Sequence, residues 1–341
     1  MLFKEALKEC WAGKFMGNDS NSMIQILDET SKGPGDKVTV TLRMQLSGAG
    51  VEGDSTLEGE EEALATHTDA LLINQLRHAV RNGGKMSQQR VPFSVREEAL
   101  SGLKDWVADR MDTAVFNQLC GNTAQSDTRF TGHNATVAPT STRWIYADGN
   151  TAETGLTIGS SDQFVLSLID TAIATAKTAT PQIRPVRVKG EPYYIVFLDT
   201  WQAKQLRAAY STGAWGDIQK AAMSGGQISD SPIFTGALGV YSGAILHETT
   251  RLYSGNFTDA GTTRCSRALL CGAQAAALGY GQDAGQGGDR MSWVEELFDY
   301  NNQLGVGVGM IWGVKKTVDF GRVAPKGAND NLVNSGDLLA A

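Results

Sequence analysis

Apolar and polar residues alternate without a break from Val38 to Leu46 (VTVTLRMQL), the period of a β-strand with one covered face. A Gly-rich, acidic stretch runs from Ser47 to Glu62, and a second β-leaning run occupies Ala65 to Val80. Together they predict one long β-ribbon with a charged, flexible far end. A two-stranded ribbon is at best marginally stable alone in water. Its apolar set, Val38, Val40, Leu42, Met44 and Leu46, therefore needs a partner surface in this chain or in a neighbouring copy.

Residues 94–119 carry a helical period. Ser94 and Glu97 form a capping box, and Glu98 favours the positive helix end. Val95, Ala99, Leu103, Val107, Met111 and Val115 make one row, flanked by Leu100, Trp106 and Ala114. Gly121 is the predicted stop. Such a helix spans roughly 39 Å, long enough to be the spine of a flat domain.

Ahead of the ribbon, residues 1–35 read as an arm, with a short helix over Leu2–Trp11 and a break at Gly33-Pro34-Gly35-Asp36. Residues 122–160 are polar and Thr-, Asn- and Gly-rich, which predicts a surface loop or insertion. An amphipathic helix is expected over Ser161–Lys177. Tyr193–Leu198 (YYIVFL) reads as a strand buried on both faces. A helix capped by Asp199 or Thr200 follows to about Ala209, then a short helix over Asp217–Met223. Gly239–Glu248 and Arg267–Cys271 read as strands, 281–288 as a loop, and Met291–Asp319 as a return to β pattern. Residues 322–341 are polar and are expected to form an extended tail.

Composition narrows the class. At 341 residues, 41% hydrophobic and 20% charged, the chain is globular and long enough for more than one core-bearing region. No apolar run reaches ~18 residues, so no membrane span is expected. Met1–Cys10 lacks the apolar centre of a signal peptide. Cysteines at 10, 120, 265 and 271, with no CxxC, fit buried thiols in a reducing compartment. A net charge of −7 without a Lys/Arg cluster argues against sequence-independent gripping of nucleic acid. If the chain meets DNA, it contains it.

Candidate chemistry is sparse. Gly48-Ala-Gly50-Val-Glu-Gly53 is a GxGxxG after a strand, with Asp69 spaced as a ribose acceptor. Those glycines should open a helix whose amides hold pyrophosphate, but DSTLEGEEEA follows instead. Glu52, Asp54, Glu58, Glu60, Glu61 and Glu62 would repel a pyrophosphate, and a flexible ribbon tip is the stronger reading. The same carboxylates could attract a divalent cation but lack an EF-hand pattern. The four histidines show no zinc spacing, and neither a GxSxG elbow nor a Walker A motif is present. Cys120 sits at a helix C-terminus, where the dipole raises a thiol pKa. Asp109, Arg110 and Asp112 are read as structural ion-pairing residues. The charge segregation is more telling. The tip is acidic, whereas Arg77, Arg81, Lys85 and Arg90, with His78, follow it closely, as head-to-tail contact between identical copies would use.

Particular residues extend this picture: Gly35-Asp36, Leu46, Gly48, Gly50-Val51, Gly53-Asp54, Leu57-Glu58-Gly59, Ile73-Asn74-Gln75 and Arg77-His78-Ala79-Val80. Met86-Ser87, Gln89-Arg90, Trp106, Asp109-Arg110, Phe116, Tyr300, Gly305 and Gly313-Val-Lys-Lys-Thr317 continue it. With the order of arm, acidic-tipped ribbon, spine helix and closing strands, this resembles the major capsid proteins of tailed bacteriophages, nearest a podophage-type subfamily. These share the Johnson fold with herpesvirus capsids and encapsulins. The resemblance covers 36–120 and 265–320.

It implies an α+β fold with an N-terminal arm (1–35), an extended β-hairpin loop or E-loop (36–90), a peripheral domain (91–160 and 291–325), an axial domain (161–290) and a C-terminal tail (326–341). It also implies a non-enzymatic shell subunit, without cofactor or metal, that assembles into pentamers and hexamers around double-stranded DNA. Contacts between copies are expected at Val40, Leu42 and Met44, at the six tip carboxylates, and at Arg77, Arg81, Lys85 and Arg90. No Lys lies between 38 and 84, so a lysine cross-link from the ribbon is not expected. Only 35 residues precede the ribbon, which favours a separate scaffolding protein. A portal and a cement protein are the other expected partners, with assembly in the host bacterial cytoplasm and residence in the virion. An encapsulin-like shell around protein cargo and a nucleotide-binding enzyme using Gly48–Gly53 are the competing readings.

Overall fold

A computed structural model describes residues 11–27, 36–43, 48–62, 66–92, 94–139, 143–147, 163–179, 182–208, 237–256, 264–281, 291–317 and 337–340. A 3-10 turn over Trp11–Phe15 leads into β1 (Met16–Gly17) and β2 (Ile24–Leu27). The ribbon strands are β3 (Lys37–Arg43) and β4 (Thr66–Leu72), and β5 (Asn74–Arg81) follows. A short helix α1 (Lys85–Gln89) precedes the spine helix α2 (Val95–Leu119). Next come β6 (Trp144–Ile145), α3 (Leu166–Thr178), β7 (Val186–Val188), β8 (Glu191–Leu198), α4 (Thr200–Ala208), β9 (Ala237–Tyr241) and β10 (Ala244–Glu248). The remaining strands are β11 (Ser254–Asn256), β12 (Arg264–Ser266), β13 (Ala268–Cys271), β14 (Ala276–Tyr280), β15 (Met291–Phe298), β16 (Gln303–Lys316) and β17 (Asp337–Ala340).

Two sheets organise the molecule. The first runs β1-β2-β14-β16-β15, with β5 also paired to β16; the second runs β6-β17-β13-β8-β10-β9, with β7 on β8. The central strands β8 and β13 of the second sheet have two buried faces. On β8, Ile195 and Phe197 enter one core with α2 and the first sheet, while Tyr194, Val196 and Leu198 enter another with α3. On β13 the split is Leu269 and Cys271 against Ala268 and Leu270. A side-chain period of two turns a continuous apolar run into two opposed faces, as expected for YYIVFL. Cys120, Cys265 and Cys271 are buried thiols in the first core.

The spine helix follows its sequence signals. Ser94 Oγ accepts from the Glu97 amide at 3.4 Å, and Gly121 takes φ 60° just past the helix end. A Cβ there would sit 2.7 Å from the Val137 carbonyl oxygen. Leu103, Val107, Met111 and Val115 are fully buried.

Four expectations change. The run from Ala65 to Val80 is not one ribbon strand: β4 pairs with β3, and beyond Ile73 β5 pairs with β16. Residues 122–160 are not a surface loop throughout, because Thr131, Asn134, Arg143, Trp144, Ile145 and Tyr146 are buried. Polar residues can line this inward loop because α2 satisfies its carbonyls: Asn117 Nδ2 donates to Phe130 O at 3.0 Å and Gln118 Nε2 to Thr131 O at 2.6 Å. Gly239–Glu248 is a hairpin, turned at Ser242-Gly243 with φ 51° and 82°. The C-terminal stretch is not wholly an extended tail, since β17 pairs with both β13 and β6. Of the short helix expected over Leu2–Trp11 only Trp11 is described, and it opens a 3-10 turn; the one expected over Asp217–Met223 lies outside the described residues.

Candidate functional site

The ribbon strands pair antiparallel from Lys37 opposite Leu72 to Arg43 opposite Thr66. Val38 is half-buried; the side chains of Val40 and Leu42, and all of Met44, lie outside the described residues. At the tip, Gly50, Gly53 and Gly59 take φ of 77°, 66° and 96°, a region that L side chains rarely adopt. Among the described residues no helix lies between Gly53 and β4, so the GxGxxG lacks the helix N-terminus a pyrophosphate requires. Gly48 N donates to Glu62 Oε2 at 2.6 Å and Gly59 N to Glu61 Oε2 at 2.8 Å. Glu52, Asp54, Glu58, Glu60, Glu61 and Glu62 are all exposed, as is Leu57. Among the described residues they do not converge with other ligands into a metal-holding group.

At its base the ribbon crosses the first sheet. The Leu72 carbonyl oxygen lies so close to β16 that a Cβ on Gly313 would meet it at 2.0 Å. Ile73 N donates to Asp36 O at 2.8 Å, which closes the hairpin. Lys315 Nζ reaches Asp69 Oδ1 at 2.5 Å and Ala70 O at 3.0 Å. The buried Asn134 side chain meets the ribbon end directly: Oδ1 accepts from Leu72 N and Nδ2 donates to Leu72 O, both at 2.9 Å.

The basic stretch does not belong to the ribbon. Arg77 and Arg81 stand on β5, opposite Gly309 and Gly305 of β16, with Ala79 opposite Gly307 between them. β15 lies opposite the same positions through Ser292, Val294 and Glu296. Residues directly opposite share a face, so Gly305, Gly307 and Gly309 lie on this outer face, where the Phe298 ring covers Gly305, Ser292 and Arg77 cover Gly309, and Gly307 is half-buried. Arg77, Arg81 and the exposed Val294 flank these glycines. The alternate β16 residues, Val306, Val308, Met310, Trp312 and Val314, are buried against the core. Arg81 stacks on the Phe298 ring at 4.4 Å. Lys85 and Arg90 are exposed on and just after α1. Among the described residues, no ion pair joins Arg77, Arg81, Lys85 or Arg90 to a carboxylate of the same subunit.

A family model described as phage capsid protein matches residues 1–330. This chain belongs to the phage capsid protein family. It is 30% identical to the major capsid protein of Pseudomonas phage KPP25 over 92% of this chain and 87% of that one. The capsid of Ralstonia phage GP4 superposes with a TM-score of 0.82 at 30% identity, covering 96% of this chain and 88% of that one. The Cyanophage Pam1 capsid gives a TM-score of 0.73 at 20% identity, covering 96% and 90%. The α+β fold expected from the resemblance, the Johnson fold of phage capsids, is thereby shown.

In this capsid-family chain the charged residues of the spine helix are structural. Asp109 pairs with Arg251, and buried Asp112 accepts from Trp11 N at 3.1 Å and Ala12 N at 3.0 Å. Arg110 lies 3.9 Å from the Phe130 ring centre. Asp112 thus fixes the 3-10 turn of the arm. Trp11 and Phe15 then wedge between Phe116 of α2 and Phe197 and His247 of the second sheet, with ring centres 5.1–6.0 Å apart. Sequence reasoning missed Asn134, Gln118 and this wedge. The only early signal was polar residues standing beside apolar rows.

Proposed function

We propose that this chain is the major shell subunit of a phage, assembling with copies of itself into pentamers and hexamers of an icosahedral capsid around double-stranded DNA. The observation that carries this is a family match over residues 1–330 on a chain whose ribbon leaves the sheet with an exposed acidic tip. The basic pair Arg77 and Arg81 is exposed on another element and, among the described residues, has no carboxylate partner in its own subunit. The tip of one copy fits that outer sheet face of the next, where its carboxylates meet guanidinium groups. The apolar residues Val40, Leu42 and Met44 add buried area, and Lys85 and Arg90 extend the positive rim. A net charge of −7 suits a wall that holds DNA without gripping it. A separate scaffolding protein, a portal and a cement protein complete the proposed partners, with assembly in the host bacterial cytoplasm before residence in the virion.

Electron microscopy of the purified chain tests the reading. Uniform closed shells or capsomer rings are expected. A monomer that persists at high concentration, with and without scaffold, overturns it.

A further inference from the structure

We propose that Asn134 is a positioning residue that aims the ribbon before any neighbour is met. Its side-chain amide offers Leu72 a donor and an acceptor together, as a peptide group of an adjoining strand would. Both bonds are 2.9 Å long and the side chain is 4% exposed. The same Nδ2 reaches Gly132 O at 2.9 Å and Val314 O at 3.1 Å. The loop that carries Asn134 is itself held by the spine helix, because Gln118 Nε2 donates to Thr131 O and to Asn134 O at 2.6 and 2.8 Å. Gln118 Oε1 also accepts from Lys316 N at 3.4 Å. A continuous path of bonds, buried as far as Asn134 and part-buried at Leu72, therefore joins α2, the 131–134 loop, β16 and the last residue of the ribbon.

A second tether, Lys315 to Asp69, lies three residues up the same strand. Two fixed points on one strand define a direction as well as a location. A ribbon aimed in advance loses less conformational freedom when it docks, so more of the contact energy appears as association.

The consequence for assembly rests on the shell-subunit reading; the anchoring does not. Hydrogen exchange on the full-length chain, kept unassembled at low concentration, reads the anchor alone. In the wild type, the Leu72 and Ile73 amides should exchange at least ~100-fold more slowly than those of tip residues 50–60. Asn134→Ala should remove most of the Leu72 protection while β8 and β13 keep theirs. Wild-type exchange at Leu72 as fast as at the tip, or protection unchanged in the variant, overturns the anchor. Should Asn134→Ala lose protection everywhere, Lys315→Met decides: faster exchange over 69–72 alone upholds the tethered ribbon, and no change there overturns it. Under assembly conditions, Asn134→Ala shells should fall in yield or vary in size. Shells of normal size and yield from a variant with an unprotected ribbon base overturn the positioning role. A wild type that forms no shells counts against the proposed function and leaves the exchange result standing.

Discussion

Asp112 lies in the middle of the spine helix, 3% exposed, and holds two backbone amides of a segment 100 residues away. Truncating it leaves the buried Ala12 N without an acceptor, at about 1–3 kcal/mol for an unsatisfied buried group, and the part-buried Trp11 N as well. Asp112→Ala should therefore lower the urea midpoint of unfolding clearly, and Asp112→Asn, which keeps one acceptor oxygen, should lower it less. His133 supplies a pH dependence. It takes φ 64°, packs edge-on to Trp312, and its imidazole is held below the ordinary 6.5 by burial. Between that lowered value and 6.5 the unfolded chain binds more protons than the folded one, so stability falls as pH drops through this window. Asn tolerates a left-handed backbone, so His133→Asn should reduce the difference in Tm measured across that window. A difference equal to that of the wild type would refute the assignment.

At the scale of elements, β16 and α2 carry the architecture. β16 presents glycines outward and large apolar residues inward, and the ribbon base fits only because Gly313 has no side chain. Gly313→Ala would place a Cβ 2.0 Å from a backbone oxygen. Such overpacking costs typically about 1–3 kcal/mol, and here the shift falls on the ribbon, so raised exchange at Leu72 should accompany the loss. On α2, Leu103→Ala should cost about 2–5 kcal/mol by opening a cavity in the first core, measurable by denaturant unfolding. The helix was legible in advance because its cap, its apolar row and its Gly121 stop are local features. The change of partner at Ile73 was not. A period of two is the same whether a strand pairs with β3 or with β16, so alternation alone cannot show where one ends and the other begins.

At the scale of the whole molecule, charge and reach govern assembly. Replacing residues 47–62 with a short turn should leave a folded subunit that assembles poorly, as seen by electron microscopy and light scattering. Normal shells would remove the ribbon tip from the interface. Reversing Arg77 and Arg81 to Glu should weaken assembly most at low ionic strength, because exposed charges more than a Debye length apart, about 10 Å at 0.1 M salt, are largely screened. An assembly yield that is unaffected at every salt concentration would exclude these two arginines from the contact. Neither change touches the two cores, and the arginine reversals should keep the wild-type unfolding free energy to within about 0.5 kcal/mol, as surface substitutions typically do.

What the sequence determined by itself was set by short-range rules. Alternation made the ribbon, a capping box and an apolar row made the spine helix, and a continuous apolar run made β8 a strand buried on both faces. Glycines bunched among carboxylates made a tip unsuited to phosphate. What the tertiary structure decided rests on pairs far apart in the chain. Asp69 meets Lys315 across 246 residues, and Asn134 meets Leu72 across 62. Each such polar residue looks like a loop or surface residue until the backbone group it satisfies is known. That group is supplied only when distant segments are folded against one another, and unpaired buried backbone then makes the match obligatory.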